Sequence, residues 1–203
     1  MNENVFVKFW NFLKEDSWPS FLVSLVIALI VIKFVIFPVL TFFTGTALPL
    51  VIVESCSMYH SQDLDIIMKN KVYSDYGLSF ENTTDWSLRN GFTKGDIIFV
   101  VGAKDVNVGD VIIFNGGQAN PIIHRVISIK EENGKIIYGT KGDNNLRQIT
   151  PGCSAGGVCW KTDETNITQD SVVGKAVFRV PAIGWIKLIF FDWMKPVDQR
   201  GMC

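Results

Sequence analysis

Only two histidines and four cysteines occur among the 203 residues, and the formal net charge is just -1. The near-neutral balance gives no reason to expect a nucleic acid or a strongly acidic substrate. Cys153 and Cys159 stand close together, but no second ligand pair at zinc spacing accompanies them, so a metal site is not expected. Any chemistry that needs an imidazole can draw only on His60 and His124. Basic residues are missing over one long stretch, with no Lys or Arg between Lys33 and Lys69.

The sequence has an excess of apolar residues, 48% of the chain with a mean hydropathy of +0.24, concentrated near its start. From Phe21 to Phe37 it reads "FLVSLVIALIVIKFVIF", and after Pro38 the apolar character resumes as "VLTFF". A bilayer core takes about 20 mostly apolar helical residues. A cleavable signal peptide has a shorter core of roughly 7–15 residues and a small-residue cleavage site; "FPVLTFFTG" offers no A-x-A-like site. A buried core helix usually carries a polar stripe, whereas only Ser24 and Lys33 interrupt this run. The expectation is an uncleaved transmembrane anchor over residues 18–43, preceded by a short segment 1–17 and followed by a domain over 44–203. Lys33, near the end of the span, can extend its stem and place its ammonium at the interface.

Lys8 and Lys14 precede the span, so the positive-inside rule puts the N-terminus in the cytoplasm and the domain outside. Glu15 and Asp16 count little in that rule. Outside, Cys153 and Cys159 around "SAGGV" are placed to form a disulfide in an oxidising compartment. Asn82 in "NTT" and Asn166 in "NIT" are glycosylation sequons, which indicate at most surface loops.

Beyond the anchor the sequence reads as strands. "LPLVIV", "DIIFVVG", "DVIIFN", "PIIHRVISI", "KIIYGT" and "SVVGKAVFRV" are short β-branched or aromatic runs. Turn chemistry such as "NGGQANP", "EENGK" and "KGDNN" separates them, with no helical period between. The fold class expected is mainly β, a compact antiparallel or barrel-like domain behind one N-terminal helix. Two segments break the rhythm. Residues 61–92 are polar with scattered aromatics and read as an insertion. "IGWIKLIFFDWM" is apolar and Trp-rich but too short to span a bilayer; it suits either the membrane surface or a last core element.

The first strand ends in "ESCSMYH", delivering Ser55 and Ser57 where the chain leaves its apolar surroundings. Serines often end strands as turn residues, but a serine hydroxyl with a base nearby is also a nucleophile. His124 lies inside an apolar strand, where an imidazole needs a partner. Asp143, in the turn "TKGDNN", is a carboxylate that can accept its Nδ1–H and fix its tautomer.

"ESCSMYH", "KGDIIFV", "VGDVIIF", "PIIHRV", "TKGDNN" and "DSVVGKAVFRVPAIGW", in this order behind an anchor, resemble the successive boxes of type I signal peptidases. The similarity is to the archaeal and endoplasmic-reticulum branch, whose base is a histidine followed by Arg-Val, here His124, Arg125 and Val126. It extends from the anchor to about Trp185.

The resemblance implies a membrane-bound serine endopeptidase that removes N-terminal signal peptides from secretory preproteins. Ser57 is then the nucleophile, His124 the general base, Asp143 the triad acid with Asp163 as substitute, and Ser55 an oxyanion donor. It implies no cofactor and no metal, and names as partners signal peptides, the lipid membrane and the Sec translocon, not nucleic acid. The chain departs from the family with Cys56 in place of a usual Gly, His60 in place of a usual Pro, the insertion 61–92, and "LRQIT" where a second aspartate commonly follows the Gly-Asp-Asn turn. A self-cleaving repressor resembles the same fold family but would need a DNA-binding module and usually a lysine base. The rival from another class is a catalytically silent, membrane-anchored envelope protein that binds extended peptides.

Overall fold

The structure is a computed structural model that describes residues 4–118, 120–153, 159–195 and 200–203. It divides into two compact units, Met1–Phe43 and Thr44–Cys203. The first is helical. After α1 (Val5–Leu13), Ser17 caps α2 (Trp18–Val31), with Pro19 in the first turn, where its missing N–H is not needed. A π-helical stretch, Ile32–Ile36, joins α2 to α3 (Phe37–Thr44). Pro38 explains that stretch: it cannot donate to the helical ladder and its ring crowds the preceding turn, which widening to a π-turn relieves. The whole helix, Trp18–Thr44, has a mean hydropathy of 2.9 and is long and apolar enough to cross a membrane. It ends at Gly45, whose φ of +68° suits the left-handed position that closes a helix.

The second unit is a curled antiparallel sheet of seven strands. They are β1 (Leu50–Ile52), β2 (Ile97–Val101), β3 (Val111–Phe114), β4 (Ile122–Glu132), β5 (Lys135–Lys141), β8 (Ile167–Thr168) and β9 (Val172–Val180), in the spatial order β1-β2-β9-β3-β4-β5-β8. A separate two-stranded ribbon pairs β6 (Gly152–Cys153) with β7 (Cys159–Trp160), and the Cys153–Cys159 disulfide joins them. The apolar strand runs of the sequence are thus strands in fact, and their near-continuous hydrophobicity has a reason. Val111 and Ile113 of β3 enter one core with Val53, Met58 and Ile98, while Ile112 and Phe114 enter another with Val126 and Tyr138. A strand covered on both faces has no polar side to display.

The segment 61–92 supplies part of that cover. It forms α4 (Leu64–Ile67), α5 (Lys71–Asp75) and a 3-10 turn, Phe80–Asp85. Met68, Tyr73 and Trp86 are buried in a third cluster with Ile127 of β4. The aromatics that looked scattered in a polar sequence are the anchors by which it packs. "IGWIKLIFFDWM" forms α6 (Trp185–Phe191) and a following turn; Leu188 is buried, and Ile186, Ile189, Phe190 and Trp193 are exposed.

Candidate active site

β1 is an edge strand, and the curl of the sheet brings it opposite the start of β4. Between them runs a groove of about 720 Å³, lined by Val51 and Val53 of the β1 side, Ile122 and His124 of the β4 side, and Ser55 and Ser57. The two serine hydroxyls lie 3.2 Å apart.

The loop that carries them is fastened by the turn after β5. The Asn144 N–H donates to the Ser57 carbonyl at 2.8 Å, and the Asn144 side chain donates to the Cys56 carbonyl at 3.0 Å. Met58, almost fully buried, gives its carbonyl to the Phe92 N–H at 3.0 Å. Gly142 is the point of closest approach. A Cβ placed there would be 2.8 Å from His124 Nε2 and 2.8 Å from the Ser57 carbonyl oxygen. The ring therefore presents Nε2 to the serine loop across a space that only a glycine leaves free.

The other ring nitrogen is equally constrained. His124 Nδ1 pairs with Glu164 Oε1, and both residues are buried. Glu164 is itself held on all sides: Thr140 Oγ1 donates to Oε1 at 2.9 Å, and the Ile149 N–H donates to Oε2 at 2.6 Å. Its backbone is locked by the Thr140 N–H to its carbonyl and by its own N–H to the Ile149 carbonyl, each at 2.8 Å. A carboxylate fixed on Nδ1 leaves the neutral imidazole with a free lone pair on Nε2, the form a general base requires.

The expected contact of the Asp143 carboxylate with His124 is not formed; His124 Nδ1 pairs with Glu164. Successive residues of a strand face opposite ways, and Asp143 sits with Arg125, the neighbour of His124 on β4. Arg125 donates from Nε to Oδ1 at 2.9 Å and from Nη2 to Oδ2 at 2.7 Å. His60 Nε2 lies 2.8 Å from Oδ2, and the Tyr73 hydroxyl donates to Oδ1 at 3.3 Å. Burial alone would raise this carboxyl, but the Arg125 charge and the bonds from His60 and Arg125 outweigh it and hold it well below the usual carboxylate range. Asp163, the substitute, turns its carboxylate to the Thr165 N–H at 3.0 Å and hydroxyl at 2.6 Å. Of the expected residues, Ser55, Ser57 and His124 share the groove; Asp143 and Asp163 do not line it.

Arg125 also ties the segment 61–92 to the sheet. Its Nη1 donates to the carbonyls of Ser87 and Gly109 at 2.7 Å each, and its guanidinium lies over the Trp86 ring. Beside it, buried Lys141 donates to the Gly142 carbonyl at 3.1 Å; desolvation lowers its pKa to about 8. Half-buried His60 joins the buried Tyr73, Arg125, Lys141 and Asp143 in one polar cluster behind the turn that holds the serine loop.

Two features carry no local signal in the sequence. Glu164 stands in "TDETNIT", where nothing local separates it from its polar neighbours. Cys56 and Cys203 form a disulfide across a separation of 147 residues, which no short spacing announces. No Gly-like backbone is needed at Cys56, whose φ is not positive.

No protein-family profile matches the chain. It is 32% identical over 113 residues to "Signal peptidase complex catalytic subunit SEC11C" of Homo sapiens, an alignment covering 54% of this chain and 55% of that protein. To the "Signal peptidase complex catalytic subunit SEC11" of Pyricularia oryzae it is 25% identical over 115 residues, covering 54% and 63%. To that of Sclerotinia sclerotiorum it is 26% identical over 117 residues, covering 55% and 64%. The aligned part therefore spans between about half and two thirds of these relatives.

Proposed function

We propose, from the homology of this chain with the catalytic subunits of signal peptidase complexes, that it is a membrane-bound serine endopeptidase cleaving N-terminal signal peptides from preproteins. The observation that carries this reading is the imidazole of His124, held at Nδ1 by Glu164 with Nε2 turned to the Ser57 loop. In the proposed reaction a preprotein lies extended along the open edge of β1, adding a strand to the sheet. Ser57 Oγ attacks the scissile carbonyl as His124 Nε2 takes its proton. Glu164 stabilises the imidazolium without itself taking the proton. The Ser55 hydroxyl, 3.2 Å from Ser57 Oγ, and the Ser57 N–H receive the oxyanion. A donor of this kind is worth about 2.7–4 kcal/mol in the transition state. His124 then returns its proton to the leaving amine, and water hydrolyses the acyl-enzyme by the same route.

The apolar helix confines this chemistry to a membrane surface, which raises the effective concentration of substrates held at the same surface. Lys8 and Lys14 favour a cytoplasmic N-terminus and an exported domain, and the two disulfides of that domain suit an oxidising compartment. Partners under this reading are preproteins and the lipid membrane, with the Sec translocon as the source of substrate.

The experiment is cleavage of a preprotein by the purified full chain in detergent micelles, beside Ser57→Ala. Release of the signal peptide by the parent and none by the variant supports the reading. A parent that binds the preprotein but never cuts it favours the silent peptide-binding alternative.

A further inference from the structure

Cys56 stands between the two serines, and its partner Cys203 belongs to a segment that packs around Lys94 and Asp192. Among the described residues, the hydroxyls of Ser55 and Ser57 hydrogen-bond only to each other. Their direction therefore depends on how firmly the backbone from Glu54 to Met58 is held. On its inner side the loop is held by Asn144 and Phe92 through the carbonyls of Cys56, Ser57 and Met58.

The outer side has different attachments. Glu54 accepts from Lys195 at 2.9 Å and from Lys187 at 3.3 Å. Burial alone would raise its carboxyl, but the bonds and charges of those two lysines lower it below its usual range. Cys56 is joined covalently to Cys203, whose sulfur accepts from the Lys94 N–H at 3.4 Å. The segment bearing Cys203 is tied down in turn. The Gly201 N–H donates to Asp192 at 2.9 Å, Arg200 donates to the Lys195 carbonyl at 2.7 Å, and Lys94 pairs with Asp192 at 2.6 Å. The two outer attachments, at residues 54 and 56, straddle Ser55. The ion pairs of Glu54 are only partly buried and hold geometry less firmly than a covalent bond, so the disulfide dominates.

We propose that the Cys56–Cys203 disulfide is a positioning element for Ser55 and Ser57, and that its reduction slows the chemical step while the sheet stays folded. The inference rests on the proposed reaction. A dithiol reductant supplies two electrons and two protons. The Sγ–Sγ bond breaks, Cys56 and Cys203 become thiols, and the reductant closes to its own disulfide. The serine loop then keeps only its inner hydrogen bonds and the Glu54 pairs.

The test uses the full chain in detergent micelles with Cys153→Ser and Cys159→Ser introduced, so that a dithiol acts on one disulfide alone. Dithiothreitol is expected to lower kcat at least tenfold with KM changed less than twofold, and reoxidation to restore kcat. Cys203→Ser in the same background should show the lowered kcat and no further response to dithiol. Amide hydrogen exchange should quicken at residues 54–58 and stay unchanged in β3 and β4. An unchanged kcat on reduction overturns the proposal, as does exchange that quickens throughout β3 and β4, since that is loss of global stability. If the oxidised protein cleaves no preprotein, the proposed reaction fails, and the exchange comparison still decides whether the disulfide holds the serine loop.

Discussion

Two imidazole–carboxylate pairs, His124–Glu164 and His60–Asp143, are reached from the neighbouring β4 residues His124 and Arg125, and the two are built differently. In His60–Asp143 the carboxylate already has a fixed positive partner, the guanidinium of Arg125. In His124–Glu164 the other donors to the carboxylate are neutral, a hydroxyl and a backbone N–H. A carboxylate neutralised by arginine has little left to offer an imidazolium, whereas one facing only neutral donors stabilises the imidazolium that proton transfer creates. Under the proposed reaction, the pair beside the groove is the one that does the chemistry. The other is equipped to hold the turn at Gly142, the strand β4 and the segment 61–92 in one arrangement.

The sharpest way to break the comparison is to remove each imidazole. Under the proposed reaction, His124→Ala is expected to lower kcat for preprotein cleavage by at least about 10⁴, in line with loss of the base from serine proteases. His60→Ala should retain activity within about tenfold. Similar losses in two folded variants would erase the distinction.

Asp143 comes next, with a large effect of another kind. Asp143→Ala leaves the fully buried Arg125 charge without its partner, and breaking such a pair costs about 3–5 kcal/mol of stability, read by urea unfolding. The sign of the pH dependence follows from the carboxyl being held below its ordinary range in the fold. Its contribution is present above the unfolded value of about 3.9 and is lost as pH falls below that. Parent stability should therefore drop on acidification below about pH 4, and Asp143→Ala should drop less over the same range. Equal acid sensitivity would remove Asp143 from its structural role.

Gly142→Ala probes the contact between the two regions. The added methyl carbon would stand 2.7 Å from Asn145 Nδ2 and 2.8 Å from both His124 Nε2 and the Ser57 carbonyl oxygen. Something must shift there, and displacement of about 1 Å near a reacting centre costs up to about 10² in rate. A kcat lowered by ten- to a hundredfold, with the urea midpoint within about 0.5 M of the parent, is the expected result. Full activity would mean that the gap between base and serine loop is not tight.

Much of this arrangement could be read from the sequence because the relevant signals are local. β1, β2, β3, β4, β5 and β9 each coincide with a short apolar run bounded by turn residues, and the serines fall where β1 ends. With two histidines in the chain, one of them in a strand, naming His124 as the candidate base needs no long-range knowledge. The acid is different. Glu164 reaches His124 because its backbone pairs with Thr140 and Ile149, a register that forms only once β5 and the chain beyond it have folded together. Asp143 is the more visible candidate because Gly-Asp-Asn is a conspicuous turn, and the turn is real; its carboxylate bonds to Arg125 and His60. The insertion 61–92 read as polar because its burial is carried by a few large side chains, Met68, Tyr73 and Trp86, set among exposed ones. Cys56 read as a departure from a glycine, and its reason lies in Cys203, far along the chain.

The most direct test of the account compares Glu164→Gln with Asp143→Asn in one preprotein-cleavage assay, at a temperature where circular dichroism finds both folded. Replacing the triad carboxylate by an amide in a serine hydrolase loses about 10⁴ in turnover. Under the proposed reaction, kcat is expected to fall by at least about 10³ for Glu164→Gln and by less than about tenfold for Asp143→Asn. A nearly fully active Glu164→Gln beside an inactive, folded Asp143→Asn would contradict it.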